Sequence, residues 1–365
     1  MWRVVNREEK ILIAIISING IIFGSSQLII PLYLKELGLN SAMIGLFLTG
    51  QMLISSLIAV ILSVLGDAYG RRKFLFMSRG ISILGMSILF IGIPFGILIS
   101  SMMSAGGLIS AIMAEKSKNL DRSLSLAFSF NVLLSIFGSL LPLFLSLRYI
   151  ILTNALILSF TTLLLLFIKE GYKGTGKVDL RLKSIGKIGK LSVESLIGLG
   201  AGMILPIMSL WFYLRFNMTA QEMSPVFAAS NASLALSMFF APKLSRMLGR
   251  VKSIIYTHII GIILLIFLPL SGSYVMASLI FVLRNTAMNM TGPIFRSFIL
   301  NLIPEEERAR GSSLINLIDA LPRSVGPSFG GYFFYLGQLS TPFFITAALY
   351  SAATLGFYIF FKDVN

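Results

Sequence analysis

Three ionisable side chains lie inside apolar stretches of the sequence, where a charge is costly and therefore informative. Arg284 lies near the middle of one stretch, and Asp319 and Arg323 lie four residues apart in the next. A charge at the centre of a membrane helix costs about 2.5 to 3.5 kcal/mol on insertion scales, so such a residue usually faces a cavity or a partner. Positions four apart share one face of a helix. These three residues are therefore the first candidates for a functional site.

Three kinds of chemistry are open to this group. In the first, Asp319 only neutralises Arg323 or Arg284 in a structural ion pair. In the second, two arginines against one aspartate leave a positive site for an anionic group of a substrate. In the third, Asp319 exchanges a proton during a transport cycle, because a carboxylate binds a proton more readily once its cationic partner moves away.

Uncharged polar residues in the apolar stretches extend the set of candidates. The first half of the chain has no deep acid, and its glutamines could hydrogen-bond either to a ligand or to a neighbouring helix. The complete set of substrate or proton-coupling candidates is Arg284, Asp319, Arg323, Asn289, Asn316, Gln27, Gln51 and Asn131.

Composition indicates that these side chains are held by membrane-spanning helices. The chain has 365 residues, of which 56% are hydrophobic and 12% charged, and a water-soluble domain of this size could not bury so much apolar surface. The net charge of +15 does not indicate nucleic-acid binding, because Lys and Arg lie in short loops between apolar stretches. With no cysteine and one histidine, the sequence predicts no metal site, no cofactor and no enzymatic activity.

Apolar stretches of spanning length predict an all-α polytopic membrane protein. There are six before a basic segment and six after it, which predicts twelve transmembrane helices in two pseudo-symmetric six-helix bundles. We assign residues 1–168 to the first bundle, 169–190 to a basic cytoplasmic linker, and 191–365 to the second bundle.

The distribution of Lys and Arg predicts the orientation. Most of them fall on the side of the two termini, the linker and the loop at residues 63–73, whereas the other side has Lys35, Arg148 and Arg215. By the positive-inside rule, both termini are expected in the cytoplasm, and we place the protein in the cell membrane. Basic loop residues such as Lys73 are expected to contact anionic lipids.

The two halves of the sequence show a weak repeat. Gly70-Arg71-Arg72-Lys73 corresponds to Gly249-Arg250-Val251-Lys252 at an offset of 179 residues. A second offset, of 188 residues, relates Asn131 to Asp319. Repeated halves are typical of secondary carriers, which bind substrate near the membrane midplane.

The loop at residues 63–73 resembles the motif G-x-L-x-D-(R/K)-x-G-(R/K)-(R/K) of the major facilitator superfamily. Ser63 replaces the first glycine of that motif and Ala68 replaces the basic residue after the acid. The resemblance implies that the loop is a conformational latch, with Asp67 pairing with an arginine or capping a helix. The matching residues are Leu65, Asp67, Gly70, Arg71 and Arg72.

The resemblance implies a secondary active transporter that works by alternating access. We expect proton-coupled export of a small organic molecule by a monomer. An organic-anion carrier is the alternative, suggested by the surplus of central arginine, and a receptor that retains a carrier fold is a third hypothesis. ATP-driven pumping is not expected, because the sequence has no Walker-type glycine loop.

Overall fold

The computed structural model describes residues 6–101, 106–172, 190–290, 292, 294–295 and 308–362, and the structural statements below concern those residues. The fold is all-helical, as predicted. The chain divides into two compact units, which are described separately. Unit one comprises Met1–Gly38 and Gly50–Asp179, and unit two comprises Leu39–Thr49 and Leu180–Asn365.

The described residues of the first half of the chain form seven α-helices. The second helix belongs to both units, because its first nine residues, 41–49, pack in unit two. A short 3₁₀ turn follows each of the last two helices, at Leu141–Leu143 and Leu165–Phe167. The helices are α1 (Arg7–Glu36), α2 (Ser41–Tyr69), α3 (Arg71–Phe90), α4 (Gly96–Ser100), α5 (Gly106–Lys116), α6 (Leu120–Leu140) and α7 (Leu147–Leu164).

In the described residues of unit two, seven further α-helices follow. They follow a 3₁₀ turn at Lys190–Val193, and a second 3₁₀ turn, Leu205–Ile207, interrupts the first pair. The helices are α8 (Glu194–Ile204), α9 (Met208–Phe216), α10 (Ala220–Leu248), α11 (Arg250–Phe267), α12 (Tyr274–Met290), α13 (Arg308–Tyr335) and α14 (Thr341–Phe361).

Taking α4 with α5 and α8 with α9, the described chain contains twelve helical segments, six in each half of the sequence, as predicted. Eight helices in the described residues are long and apolar enough to cross a membrane. The third and fourth spans are separated by a turn: α3 ends at Phe90, and Gly92 adopts a φ of 98° in the turn that follows. A second break follows Ile204, inside the span that α8 and α9 form together. It coincides with Pro206, which has no N–H to continue the helical hydrogen bonding.

The same close helix contact recurs in the two units. In unit one, α1 packs on α6 so tightly that a Cβ on Gly20 would collide with the backbone of Asn131. In unit two, α8 packs on α13, and a Cβ on Gly198 would collide with the backbone of Asp319. Asn131 and Asp319 are the residues that the 188-residue offset relates. The sequence repeat therefore corresponds to a repeated helix contact in the structure.

The two glycines of the repeated loops also adopt similar backbone conformations. Gly70 precedes α3 with a φ of 96°, and Gly249 precedes α11 with a φ of 80°. Both values lie in the region that side chains disfavour, which explains why each loop has glycine at this position.

Candidate functional site

A cavity of about 140 Å³ lies within unit two. It brings together three of the sequence-predicted residues, Arg284, Arg323 and Asn289, and adds His258 and Tyr350. The remaining wall is largely apolar and is formed by Ile197, Ala201, Leu205, Met288, Gly292 and Phe295. The cavity therefore has a mixed wall, in which the polar groups of five side chains face apolar residues.

Arg284 is the most deeply buried charge of this cavity, with 1% of its surface exposed. Its Nη1 donates to Asn285 Oδ1 at 2.9 Å, and its Nη2 donates to the Tyr350 hydroxyl at 3.0 Å. Its Nε is buried and has no hydrogen-bond partner in the structure. No described carboxylate forms an ion pair with it. The guanidinium is thus held by neutral groups, and no acid in the described part of the chain balances its charge.

Two neighbouring helices fix the orientation of Arg284. Tyr350 approaches from α14, and the Arg284 guanidinium carbon lies 5.6 Å from the centre of its ring. Asn285, the other partner, donates through Nδ2 to Ser230 Oγ on α10 at 2.8 Å. The hydrogen bonds of α10, α12 and α14 therefore converge on one guanidinium.

Arg323 and Asp319 form the ion pair that their spacing on α13 predicts. Arg323 Nη2 and Nε donate to the two carboxylate oxygens of Asp319 at 2.7 and 2.9 Å, which is a bidentate arrangement. About a third of each side chain is exposed, 30% for Arg323 and 32% for Asp319. Of the alternatives for Asp319, pairing with Arg323 is observed and pairing with Arg284 is not.

The position of α13 beside the cavity depends on glycine. Gly202 of α8 faces the backbone of Arg323, and a Cβ there would collide with the carbonyl group. Gly326 of α13 faces the backbone of Gly202 in return. The two helices therefore approach backbone to backbone, which brings Arg323 next to the α8 residues that line the cavity.

His258 of α11 lines the cavity, which the sequence did not predict. The sequence contained one relevant signal: the 179-residue offset that relates Gly70 to Gly249 also relates Arg79 to His258. Arg79 of unit one is 2% exposed and donates through Nη1 to Thr161 Oγ1 at 3.0 Å. Each unit thus has a basic side chain at this position of its repeat.

The remaining predicted site residues are distributed differently. The Asn289 side chain donates to the backbone oxygen of Asn285 at 2.8 Å and lines the cavity. The side chain of Asn316 lies outside the described part of the chain. Gln27, Gln51 and Asn131 belong to unit one. Asn131 donates to Ile16 O at 2.7 Å, whereas Gln27 and Gln51 make no hydrogen bond among the described residues.

The predicted latch residues meet in unit one. Arg71 donates to Asp67 Oδ1 through Nη2 at 2.7 Å and through Nε at 3.0 Å. Arg72 Nη2 donates to the backbone oxygens of Leu165 and Leu166, in the 3₁₀ turn that follows α7. The loop between α2 and α3 is therefore stabilised by an ion pair within the loop and by hydrogen bonds to the end of the sixth span.

Glu170, which sequence reasoning missed, caps the N-terminus of α3. Its carboxylate accepts hydrogen bonds from the backbone amides of Arg71 and Arg72, the second at 3.0 Å. Tyr172 donates to the backbone oxygen of Asp67, and the Arg71 guanidinium lies 4.1 Å from the centre of the Tyr172 ring. The first residues of the predicted linker thus contact unit one.

Comparisons with known proteins agree with this architecture. The sequence profile described as Major Facilitator Superfamily matches residues 12–327 and 191–364. The comparison with curated proteins finds no match.

Solved structures with the same fold include three transporters at 14% identity. The nucleoside transporter NupG has a TM-score of 0.77, with 98% of this chain and 100% of that chain covered. The human organic anion transporter MFSD10 (TETRAN) has a TM-score of 0.70, with 96% and 100% covered. A POT family transporter in complex with 5-aminolevulinic acid has a TM-score of 0.80, with 100% and 98% covered. The chain belongs to the Major Facilitator Superfamily and is a multi-pass membrane transporter.

Proposed function

We propose that this protein is a secondary carrier that moves a small organic anion across the membrane by alternating access. The proposal rests on the environment of Arg284. This side chain is buried beside a cavity, its hydrogen-bond partners are neutral, and no described carboxylate pairs with it. A buried cation without a counter-charge is costly, and an anionic ligand group would offset that cost through charge-assisted hydrogen bonds.

The charges around the cavity favour a substrate with one negative group. Asp319 balances Arg323 by a bidentate pair, so the second arginine contributes little net charge. Arg284 contributes one positive charge that no described neighbour balances. The buried Nε of Arg284, which has no partner, is a donor that a ligand carboxylate could use.

Two of the structural relatives are compatible with this proposal. One is described as an organic anion transporter, and another was solved with 5-aminolevulinic acid, which carries a carboxyl group. Their sequences are 14% identical to this chain. The similarity therefore shows a shared fold, and the substrate of this chain is inferred from its own residues.

Proton-coupled export is the second candidate function, and the Asp319–Arg323 pair favours it. Both side chains are about one-third exposed, so water can reach the carboxylate if the pair opens. An Asp319 released from Arg323 would bind a proton more readily, and its neutralisation would be linked to the position of Arg323. Transport of an anion and coupling to protons are compatible in one carrier.

The proposal also covers the moving parts of the carrier and its orientation in the membrane. We infer that residues 1–168 and 191–365 form the two moving bundles, with 169–190 as the linker. Asp67, Gly70, Arg71 and Arg72 act as the latch, and Gln27, Gln51, Asn131 and Asn316 contribute polar groups on the transport path. We place both termini in the cytoplasm and the monomeric carrier in the cell membrane.

The test begins with a thermal-shift screen of organic acids on the purified protein, followed by counterflow of each hit in proteoliposomes. We expect carboxylates to stabilise the wild type, and their neutral amide analogues to have no effect. Arg284→Gln should lose the stabilisation, and Arg284→Lys should recover part of it, because lysine keeps the charge without the planar fork of donors.

Arg79→Gln is the matched control, since it removes an equally buried guanidinium in unit one. The proposal fails if the hits are neutral or cationic, or if Arg284→Gln and Arg79→Gln reduce ligand binding equally. Binding of an acid without any counterflow would favour the receptor hypothesis instead.

A further inference from the structure

The loops that precede α3 and α11 are equivalent in sequence but differ in how their charges are balanced. In the first loop, the acids Asp67 and Glu170 engage the side chain of Arg71 and the backbone of Arg71 and Arg72. The second loop has Arg246 at the position that corresponds to Asp67. The acid of the first loop is thus replaced by a base in the second.

Four basic residues in and beside the second loop are exposed and make no ion pair or side-chain hydrogen bond within the described chain. They are Lys243, Arg246, Arg250 and Lys252. The described carboxylates of unit two are engaged elsewhere: Glu222 pairs with Thr219, and Asp319 pairs with Arg323. Among the described residues, the second loop therefore presents a cluster of positive charge that no carboxylate compensates.

An exposed apolar face lies directly beyond this cluster on α11. Lys252 begins the face, and exposed residues continue it at spacings of three or four along the helix, which keeps them on one side. Tyr256 is 50% exposed, Ile259 is 42% exposed and Ile263 is 48% exposed. The face runs from a cationic end through a tyrosine to an apolar strip, which is the order of polarity from the surface of a bilayer to its interior.

We propose that this face of α11 and its preceding loop bind an anionic phospholipid. The phosphate group lies against Arg246, Arg250 and Lys252, Tyr256 lies at the level of the headgroup, and an acyl chain follows Ile259 and Ile263. The charge of the cluster is complementary to an anionic headgroup, and α11 is one of the helices long and apolar enough to cross the membrane. The equivalent loop of unit one is a poorer site, because its acids already engage its arginines.

The experiment measures binding of phosphatidylglycerol and phosphatidylcholine to the purified full-length protein by native mass spectrometry. We expect retained phosphatidylglycerol at concentrations where phosphatidylcholine is lost. Arg246→Asp should weaken phosphatidylglycerol binding at least about tenfold, because it removes one positive charge and adds an acid four residues before Arg250, the spacing of the Asp67–Arg71 pair.

Lys252→Gln and Lys73→Gln form the matched pair, because they are equivalent positions of the two loops and lose the same charge. Lys252→Gln should weaken binding several-fold, and Lys73→Gln should leave it within twofold of the wild type. The proposal is overturned if the two substitutions have equal effects, if phosphatidylcholine binds as tightly, or if inorganic phosphate displaces phosphatidylglycerol at millimolar concentration, which would indicate a site for free anions.

Discussion

The Tyr350 hydroxyl accepts a hydrogen bond from Arg284 Nη2 at 3.0 Å, although the two residues are 66 positions apart in the sequence. This bond joins α14 to α12 at the wall of the cavity. It holds the guanidinium in one orientation, and it does not neutralise the charge of the guanidinium because a phenol is neutral.

Tyr350→Phe should therefore weaken binding of an anionic substrate without abolishing it. The ring remains, but the hydrogen bond that orients Arg284 is lost. A neutral hydrogen bond contributes about 0.5 to 1.5 kcal/mol, so we expect binding about 2-fold to 10-fold weaker. Titration of a screened acid measures the effect. Tyr358→Phe, on an exposed part of the same helix, is the control, and equal losses in both variants would contradict the role given to Tyr350.

Asp319→Asn should separate uphill transport from exchange. The substitution keeps the size of the side chain but removes the negative charge that Arg323 binds and the group that would carry a proton. We expect proteoliposomes with the variant to lose transport driven by a pH gradient and to keep counterflow. Glu222→Gln, which changes an exposed acid at the start of α10, is the control. An Asp319→Asn carrier that still concentrates substrate under a pH gradient would show that the proton binds elsewhere.

Gly202→Ala should destabilise unit two and displace Arg323. A methyl group at Gly202 collides with the backbone of Arg323, so α8 and α13 must separate. Overpacking of this kind typically costs about 1 to 3 kcal/mol. Thermal unfolding should occur at a lower temperature than in the wild type. Gly80→Ala is the matched control, because that helical glycine has open space around it and alanine is the better helix former. Identical unfolding temperatures for the two variants would contradict the close contact.

Glu170→Ala should weaken the start of α3. The carboxylate caps two backbone amides that have no other partner in the first turn of the helix. Loss of a capping side chain typically costs about 0.5 to 2 kcal/mol. We expect faster hydrogen exchange at Arg71 and Arg72, measured by mass spectrometry. Glu36→Ala, an exposed acid at the end of α1, should leave exchange at these amides unchanged. Unchanged exchange in Glu170→Ala would show that the cap does not hold the helix end.

The Asp319–Arg323 pair could be predicted from the sequence because its geometry is local. Both residues belong to one helix, and helical periodicity alone brings positions four apart together. The same reasoning identified Arg284, since a charge in an apolar span is rare. These predictions needed the period of a helix and the cost of a buried charge, and they did not need the packing of helices.

Tyr350 and Glu170 could not be predicted, because their roles depend on which helices are neighbours. Tyrosine is common in apolar spans, and nothing in its local sequence indicates that α14 meets α12 at Arg284. Glu170 follows the sixth span in a charged segment that resembles an ordinary linker. Its function as a cap appears only when the end of α7 lies beside the start of α3.

Gly202 and Gly326 bring the backbones of α8 and α13 into direct contact, so no side chain lies between them at this point that could change rotamer and let one helix slide past the other. Helices α8 and α13 should therefore move as one rigid body. Whatever motion opens or closes the carrier, Arg323 and Ala201 should move together and keep the same relative positions on the cavity wall. Gly202 and Gly326 would then fix the shape of this part of the wall without contacting the substrate.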